Sequence, residues 1–159
     1  MNKQTIIEGI VAVLTKELEG YMHSAKRAHA EATDEQSKAE NKYDTRGLEA
    51  SYLAHGQSRQ ALEVMQAIQT YQAFALRAFS ADEAIDLGAV VELERKGERT
   101  HYFIGSRAGG TEVRCEGNEV LVITPQSPMG KQLVGRKQGE RVEVQIGRDK
   151  DSYRVVKVV

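Results

Sequence analysis

Apolar residues in the first half of the chain recur every three or four positions. Ile7, Val11, Leu14, Leu18, Tyr21, Ala25, Ala28 and Ala32 form one series, and Gly47, Ser51, Ala54, Ser58, Ala61, Met65 and Ile68 form a second. Such spacing lays a heptad seam along one face of a helix. Side-chain size falls along the first series and rises along the second. Two helices folded antiparallel therefore set small residues against small near the turn and large against large near the base. Residues 1–78 contain no proline and only four glycines. A helix of about 28 residues spans about 42 Å, more than the core of so short a chain requires, and this length suggests reach. Gly47 and Gly56 each cost about 1 kcal/mol of helix propensity against alanine, which fits close helix approach or a bend.

From about residue 80 the period shortens to two. Residues 90–93, 101–104, 113–115, 120–123, 142–146 and 153–158 read as five or six strands, with Gly109-Gly110 as a hairpin turn. One short helix is expected at 128–134. Ser127 can cap it, Pro128 suits its first turn, where an N–H has no partner anyway, and Gly135 can close it in the left-handed conformation. Gly139 can turn the chain into the next strand. The expected fold is α+β, with an antiparallel helical hairpin over 1–78 and a small antiparallel sheet around one short helix over 79–159.

Composition narrows the choice of partner and compartment. The 159 residues carry a formal net charge of −1, so the chain as a whole has no pull toward DNA or a membrane, and partners must be sought in local patches. Three Phe, six Tyr and no Trp leave little material for one large core, which favours two small domains. A single cysteine, Cys115, excludes an intramolecular disulfide or a thiolate metal cluster, and on an alternating strand it reads as a small buried hydrophobe suited to a reducing cytoplasm. Glu8 interrupts the only early apolar run, so neither a signal peptide nor a membrane span is expected.

The polar residues point to no self-contained active site. His23 and His29 face different ways on one helix, and His55 and His101 have no ligand partner in sequence. There is no Ser-His-Asp arrangement, phosphate loop or Cys-x-x-Cys pair. Acids gather instead between the helical series, at Asp34, Glu35 and Glu40. A solvated turn with a helix cap explains them, since acids are favoured in a first helical turn. Lys26, Arg27, Lys38, Lys42 and Arg46 lie nearby among Glu31, Asp44 and Glu49, as on an ordinary salt-bridged helix surface. Lys131, Arg136, Lys137 and Arg141 form a denser basic group around the short helix.

The run Ile123-Thr124-Pro125-Gln126-Ser127-Pro128-Met129-Gly130-Lys131, continuing through Gly135 to Gly139, Glu140 and Val142, resembles the C-terminal signature of the GreA/GreB family of bacterial transcription elongation factors. The segments from Asp86 to Leu93 and from Thr100 to Gly105 resemble the first two strands of that family's globular domain, and the first half has the length of its helical hairpin. The resemblance implies an FKBP-like domain that docks on RNA polymerase through Ser127, Pro128, Met129, Gly130 and Lys131. It also implies a hairpin whose tip enters the polymerase secondary channel near the transcript 3′ end. There Asp34, Glu35 and Glu40 would help hold a Mg²⁺ shared with the polymerase active site and not tightly bound by this chain. Carboxylates suit that ion, which keeps several waters and completes its shell with phosphate oxygens. Lys38, Lys42 and Arg46 would face the RNA backbone.

The family reading implies a monomeric cytoplasmic cofactor of RNA polymerase, not an autonomous enzyme, that stimulates transcript cleavage in backtracked complexes. Cleaving members carry an Asp three residues before a Glu-Asn-Ala-Glu-Tyr run. Here Glu40-Asn41 match the Glu-Asn, Tyr43 falls one place early, and Ser37 stands where the Asp would be. Asp34 or Glu35 replaces it only in a longer turn. A non-cleaving regulator of the same channel is therefore the main alternative. A coiled-coil adaptor or a prolyl isomerase is more distant, since isomerase sites are apolar and aromatic-lined and this half offers only Phe79, Tyr102, Phe103 and Tyr153.

Overall fold

A computed structural model describes residues 1–33, 46–146 and 148–159. Two long helices come first, α1 (Lys3–Thr33) and α2 (Arg46–Gln72). They are followed by β1 (Val90–Arg95), β2 (Glu98–Ile104), β3 (Glu112–Cys115), β4 (Asn118–Ile123), α3 (Pro128–Leu133), β5 (Arg141–Ile146) and β6 (Asp149–Val158). The chain divides into two compact units, Met1–Val11 with Thr70–Val159, and Ala12–Gln69. The chain thus leaves the first unit along α1 and returns to it along α2.

The six strands form one sheet in the order β3-β4-β2-β1-β6-β5. Each expected strand is present, and β6 begins earlier than the alternation suggested, pairing with β5 from Asp149 onward. The sheet is not wholly antiparallel, because β2 and β4 run parallel, with His101 opposite Val120 and Ile104 opposite Ile123. Burial explains this order. In β4, Val120, Val122 and Ile123 are buried and Leu121 half-buried, so the strand needs cover on both faces and takes an inner place. β3 alternates exposed and buried residues and takes the edge. Gly109-Gly110 therefore lies in the crossover from β2 to β3, not in a hairpin turn. The Gly110 amide donates to the Val122 carbonyl at 2.8 Å, and the Val122 amide to Thr111 at 2.8 Å. Lys96-Gly97 and Glu116-Gly117 form tight hairpins, each with both residues at positive φ, the geometry that matches strand twist.

One face of the sheet holds the main core, including Val91, Leu93, Ile104, Ile123, Leu133, Val142, Val144 and Val155. Helix ends meet the other. A Cβ on Gly9 would lie 3.3 Å from the Val113 Cβ, so α1 approaches the sheet closely there. Ile6 and Ile10, on the same helical face as Gly9, are fully buried. Neither belongs to the expected seam, because the first turns of α1 are covered on a second side. At the end of α2, Tyr71 stacks with Phe74, and both rings contact Phe103. The Tyr71 hydroxyl donates to the Arg107 carbonyl at 2.5 Å. Gly105 leaves room for it: a Cβ there would collide with that hydroxyl and sit 2.9 Å from Val122 Cγ1.

Within the helical unit Leu14, Ala28, Ala61, Ala67 and Ile68 are buried. Leu18, Tyr21 and Ala25 are half-buried along the expected seam. Met65 departs from it at 39% exposure. The buried residues there are Ala61, Ala67 and Ile68. The side chains of Ala32, Gly47, Ser51, Ala54 and Ser58 lie outside the described residues.

Burial pushes the Tyr71 phenol from 10.0 up to about 12. Above pH 10 the unfolded chain gives up this proton while the folded chain keeps it, so this group's contribution to stability falls as pH rises toward 12. Tyr71→Phe should cost about 1–3 kcal/mol near neutrality by stranding the Arg107 carbonyl. It should also make the alkaline loss of stability shallower than in the parent. Urea melts at neutral and alkaline pH measure both effects.

Candidate functional site

The end of β4 turns directly into α3 through a compact set of hydrogen bonds. The Thr124 carbonyl accepts the Ser127 amide at 3.0 Å and the Ser127 hydroxyl at 2.8 Å. Ser127 Oγ in turn accepts the Gly130 amide at 3.0 Å, making Ser127 the N-cap, with Pro128 in the first turn. Capping and proline chemistry thus act as the sequence suggested. Gly130 is required for a different reason. A Cβ there would run into the Thr124 carbonyl oxygen and lie 2.8 Å from its carbon.

The other end of α3 is tied down equally well. Leu133 is fully buried beside β5, and Met129 packs half-buried on the main core. Gly135 has φ of 86° and donates to the Ile85 carbonyl at 2.8 Å, while the Ile85 amide donates to Arg136 at 2.7 Å. Gly139, with φ of 90°, donates to the Val155 carbonyl at 2.8 Å. The short helix is therefore held to strand β4, strand β6 and the segment before β1.

These ties decide which of the proposed docking residues can touch anything. Pro128 and Lys131 are exposed, Ser127 and Met129 are half-buried, and Gly130 is buried. Ser127, Met129 and Gly130 set the shape; Pro128 and Lys131 are presented on it. A charge at Met129 would disturb the core, so that position cannot report docking alone. Around them stand exposed Arg136, Lys137 and Arg141, and among the described residues these make one distant ion pair, 3.9 Å from Arg136 to Glu140. Val134, which follows α3, adds exposed apolar area at 36%. The role of the Thr124 carbonyl had no signal in sequence, because a backbone acceptor carries no side-chain mark. Gly130 inside a six-residue helix was the readable trace of it.

Asp34, Glu35, Lys38, Glu40 and Lys42 lie outside the described residues. Arg46 opens α2, and its side chain is likewise outside them. Among the described residues no group of three or more His, Cys, Asp or Glu could hold a metal. Cys115 is buried at 1% exposure, with its Sγ 3.5 Å from the Asn2 carbonyl. No helix among the described residues is long and apolar enough to cross a membrane.

Residues 80–159 match the family model described as transcription elongation factor, GreA/GreB, C-term. The chain belongs to the GreA/GreB family. The matched span contains the whole sheet and α3. Solved structures similar to this chain include GreA factor homolog 1 of Thermus aquaticus, 27% identical over 95% of this chain and 94% of that chain, with a TM-score of 0.41. The Thermus thermophilus protein of the same name is 24% identical over 94% of each chain, with a TM-score of 0.40. A GreA/GreB factor from Nitrosomonas europaea is 16% identical over 70% of this chain and 91% of that chain, with a TM-score of 0.38. No curated protein matches.

In this GreA/GreB chain, Gly130→Ala should destabilise the sheet unit by about 2 kcal/mol or more, as overpacking against a backbone that cannot yield. Ser127→Ala should cost about 1 kcal/mol through the lost cap. Thermal melts of the two variants should rank in that order.

Proposed function

We propose that this protein binds RNA polymerase through the face carried by α3 and stimulates transcript cleavage in backtracked complexes with the segment between its two helices. The observation that carries the reading is the GreA/GreB match over 80–159, whose span includes a rigidly held Ser-Pro helix with Pro128 and Lys131 exposed. The docking face fixes position, and the long helices supply reach into the secondary channel. Asp34, Glu35 and Glu40 are hard oxygen donors of the kind Mg²⁺ accepts, so the residue types fit an ion shared with the polymerase active site. Such an ion supplies an activated water and charge neutralisation at the scissile phosphate. Lys38, Lys42 and Arg46 offset phosphate charge near the transcript 3′ end. The protein acts as a cytoplasmic monomer and as a cofactor of the polymerase's own chemistry.

Ser37 favours a second reading. It removes the acid three residues before Glu40, and a factor lacking that carboxylate would occupy the channel and regulate transcription without cleavage.

Cleavage assays on stalled complexes separate the two. Glu40→Gln should reduce cleavage at least about tenfold, equivalent to about 1.4 kcal/mol, with polymerase affinity unchanged. Asp34→Asn and Glu35→Gln should differ from each other, since one carboxylate points at the ion. Wild-type protein that binds polymerase yet promotes no cleavage at any Mg²⁺ concentration would establish the regulator.

Docking is tested independently of cleavage. Pro128→Ala combined with Lys131→Glu should weaken polymerase binding without lowering the melting temperature appreciably, since both side chains are exposed. Unchanged affinity would remove this face from the interface.

A further inference from the structure

Lys3, half-buried in the first turn of α1, folds back onto the protein surface. Its Nζ lies 4.5 Å from the centre of the Phe79 ring and donates to the Arg77 carbonyl at 2.5 Å. The Arg77 guanidinium packs on the same ring at 3.7 Å. Two cations thus contact one aromatic ring beside a cavity of about 400 Å³ lined by Met1, Lys3, Leu76, Arg77, Ala78 and Phe79, with Val159 completing the wall. Among the described residues the carboxylate facing this pair is Glu83, which binds Arg77 directly.

We propose that Lys3 is a site of covalent acylation by acyl phosphates, with Arg77 drawing the phosphate group of the donor into the cavity. The neutral Lys3 amine attacks the acyl carbonyl carbon and a C–N bond forms. The C–O bond to phosphate breaks with its electron pair on the departing phosphate, and the surplus amine proton passes through solvent to that phosphate. No oxidation or reduction occurs. The bond to the Arg77 carbonyl uses an N–H and leaves the nitrogen lone pair available, so the contact that holds Lys3 does not block it. The product exchanges a cation on Phe79 for a neutral amide.

Reactivity follows from the surroundings. Burial, and next the neighbouring Arg77, lower the Lys3 ammonium from 10.5 to about 8, with Glu83 opposing them. At pH 7.5 a much larger fraction of Lys3 is therefore neutral than of an ordinary lysine. The lower basicity weakens its intrinsic nucleophilicity, but by less than the gain in neutral fraction, leaving a net advantage of about tenfold. This proposal is independent of the transcriptional reading.

The test incubates the full-length protein with acetyl phosphate at pH 7.5. Initial acetylation rates at Lys3, Lys131 and Lys157 are then followed by mass spectrometry, with fragment ions placing the group on the side chain. Lys3 should react about tenfold faster than the two exposed lysines, and its rate should level off above pH about 8. Arg77→Gln, at an exposed position, should remove part of the Lys3 advantage in a folded protein, because burial, the larger cause, remains. Equal rates in the parent, or an Arg77→Gln variant that still shows the full advantage, would overturn the assignment.

Discussion

At the end of β4 a single carbonyl oxygen, that of Thr124, receives both the amide and the hydroxyl of Ser127, while the backbone of residue 130 passes too near it to carry a side chain. This contact fixes where the sheet stops and how α3 leaves it. Leu133 then reaches the core beside β5, Met129 follows half-buried, and Pro128 and Lys131 are left facing outward. Strand β4 can sit inside the sheet, parallel to β2, because its far end is turned away so abruptly. A chain leaving β4 in any looser way would need apolar cover that this half, with few aromatic residues, does not possess.

The base of the helices depends on a comparable steric match. Tyr71 fills the space that Gly105 leaves open and reaches the Arg107 carbonyl, so the last turn of α2 has one rotational setting. In the other unit Ile68, Ala67 and Ala61 are buried and Met65 is exposed. On the α1 side Gly9 meets Val113 and brings Ile6 and Ile10 into the interior. The residues that meet the sheet, Ile6, Gly9, Ile10 and Tyr71, thus lie outside the seam that the sequence periodicity marks.

This division suits the proposed role. Docking requires a surface whose shape survives contact, and α3 has one because its cap, its glycines and its buried Leu133 leave it no alternative position. Under that proposal Asp34, Glu35 and Glu40 would act only together with the polymerase active site, whose Mg²⁺ they would share.

Periodicity was enough to identify the elements, because a helix or a strand with one buried face must repeat its apolar residues at its own period, and the strands from 90 to 158 and the seam through Ile7, Leu14 and Ile68 follow that rule. Ser127, Pro128, Gly135 and Gly139 were also legible, since each answers a local backbone need. What only the tertiary structure decided was set by contacts between distant segments: the parallel pairing of β2 with β4, the crossover at Gly109-Gly110, the burial of Ile6 and Ile10, and the outward turn of Met65. The same holds for the proposed docking residues, which the run of sequence presents alike and the fold sorts into buried Gly130, half-buried Ser127 and Met129, and exposed Pro128 and Lys131. Burial is a property of what lies opposite a residue, and no local pattern states what that will be.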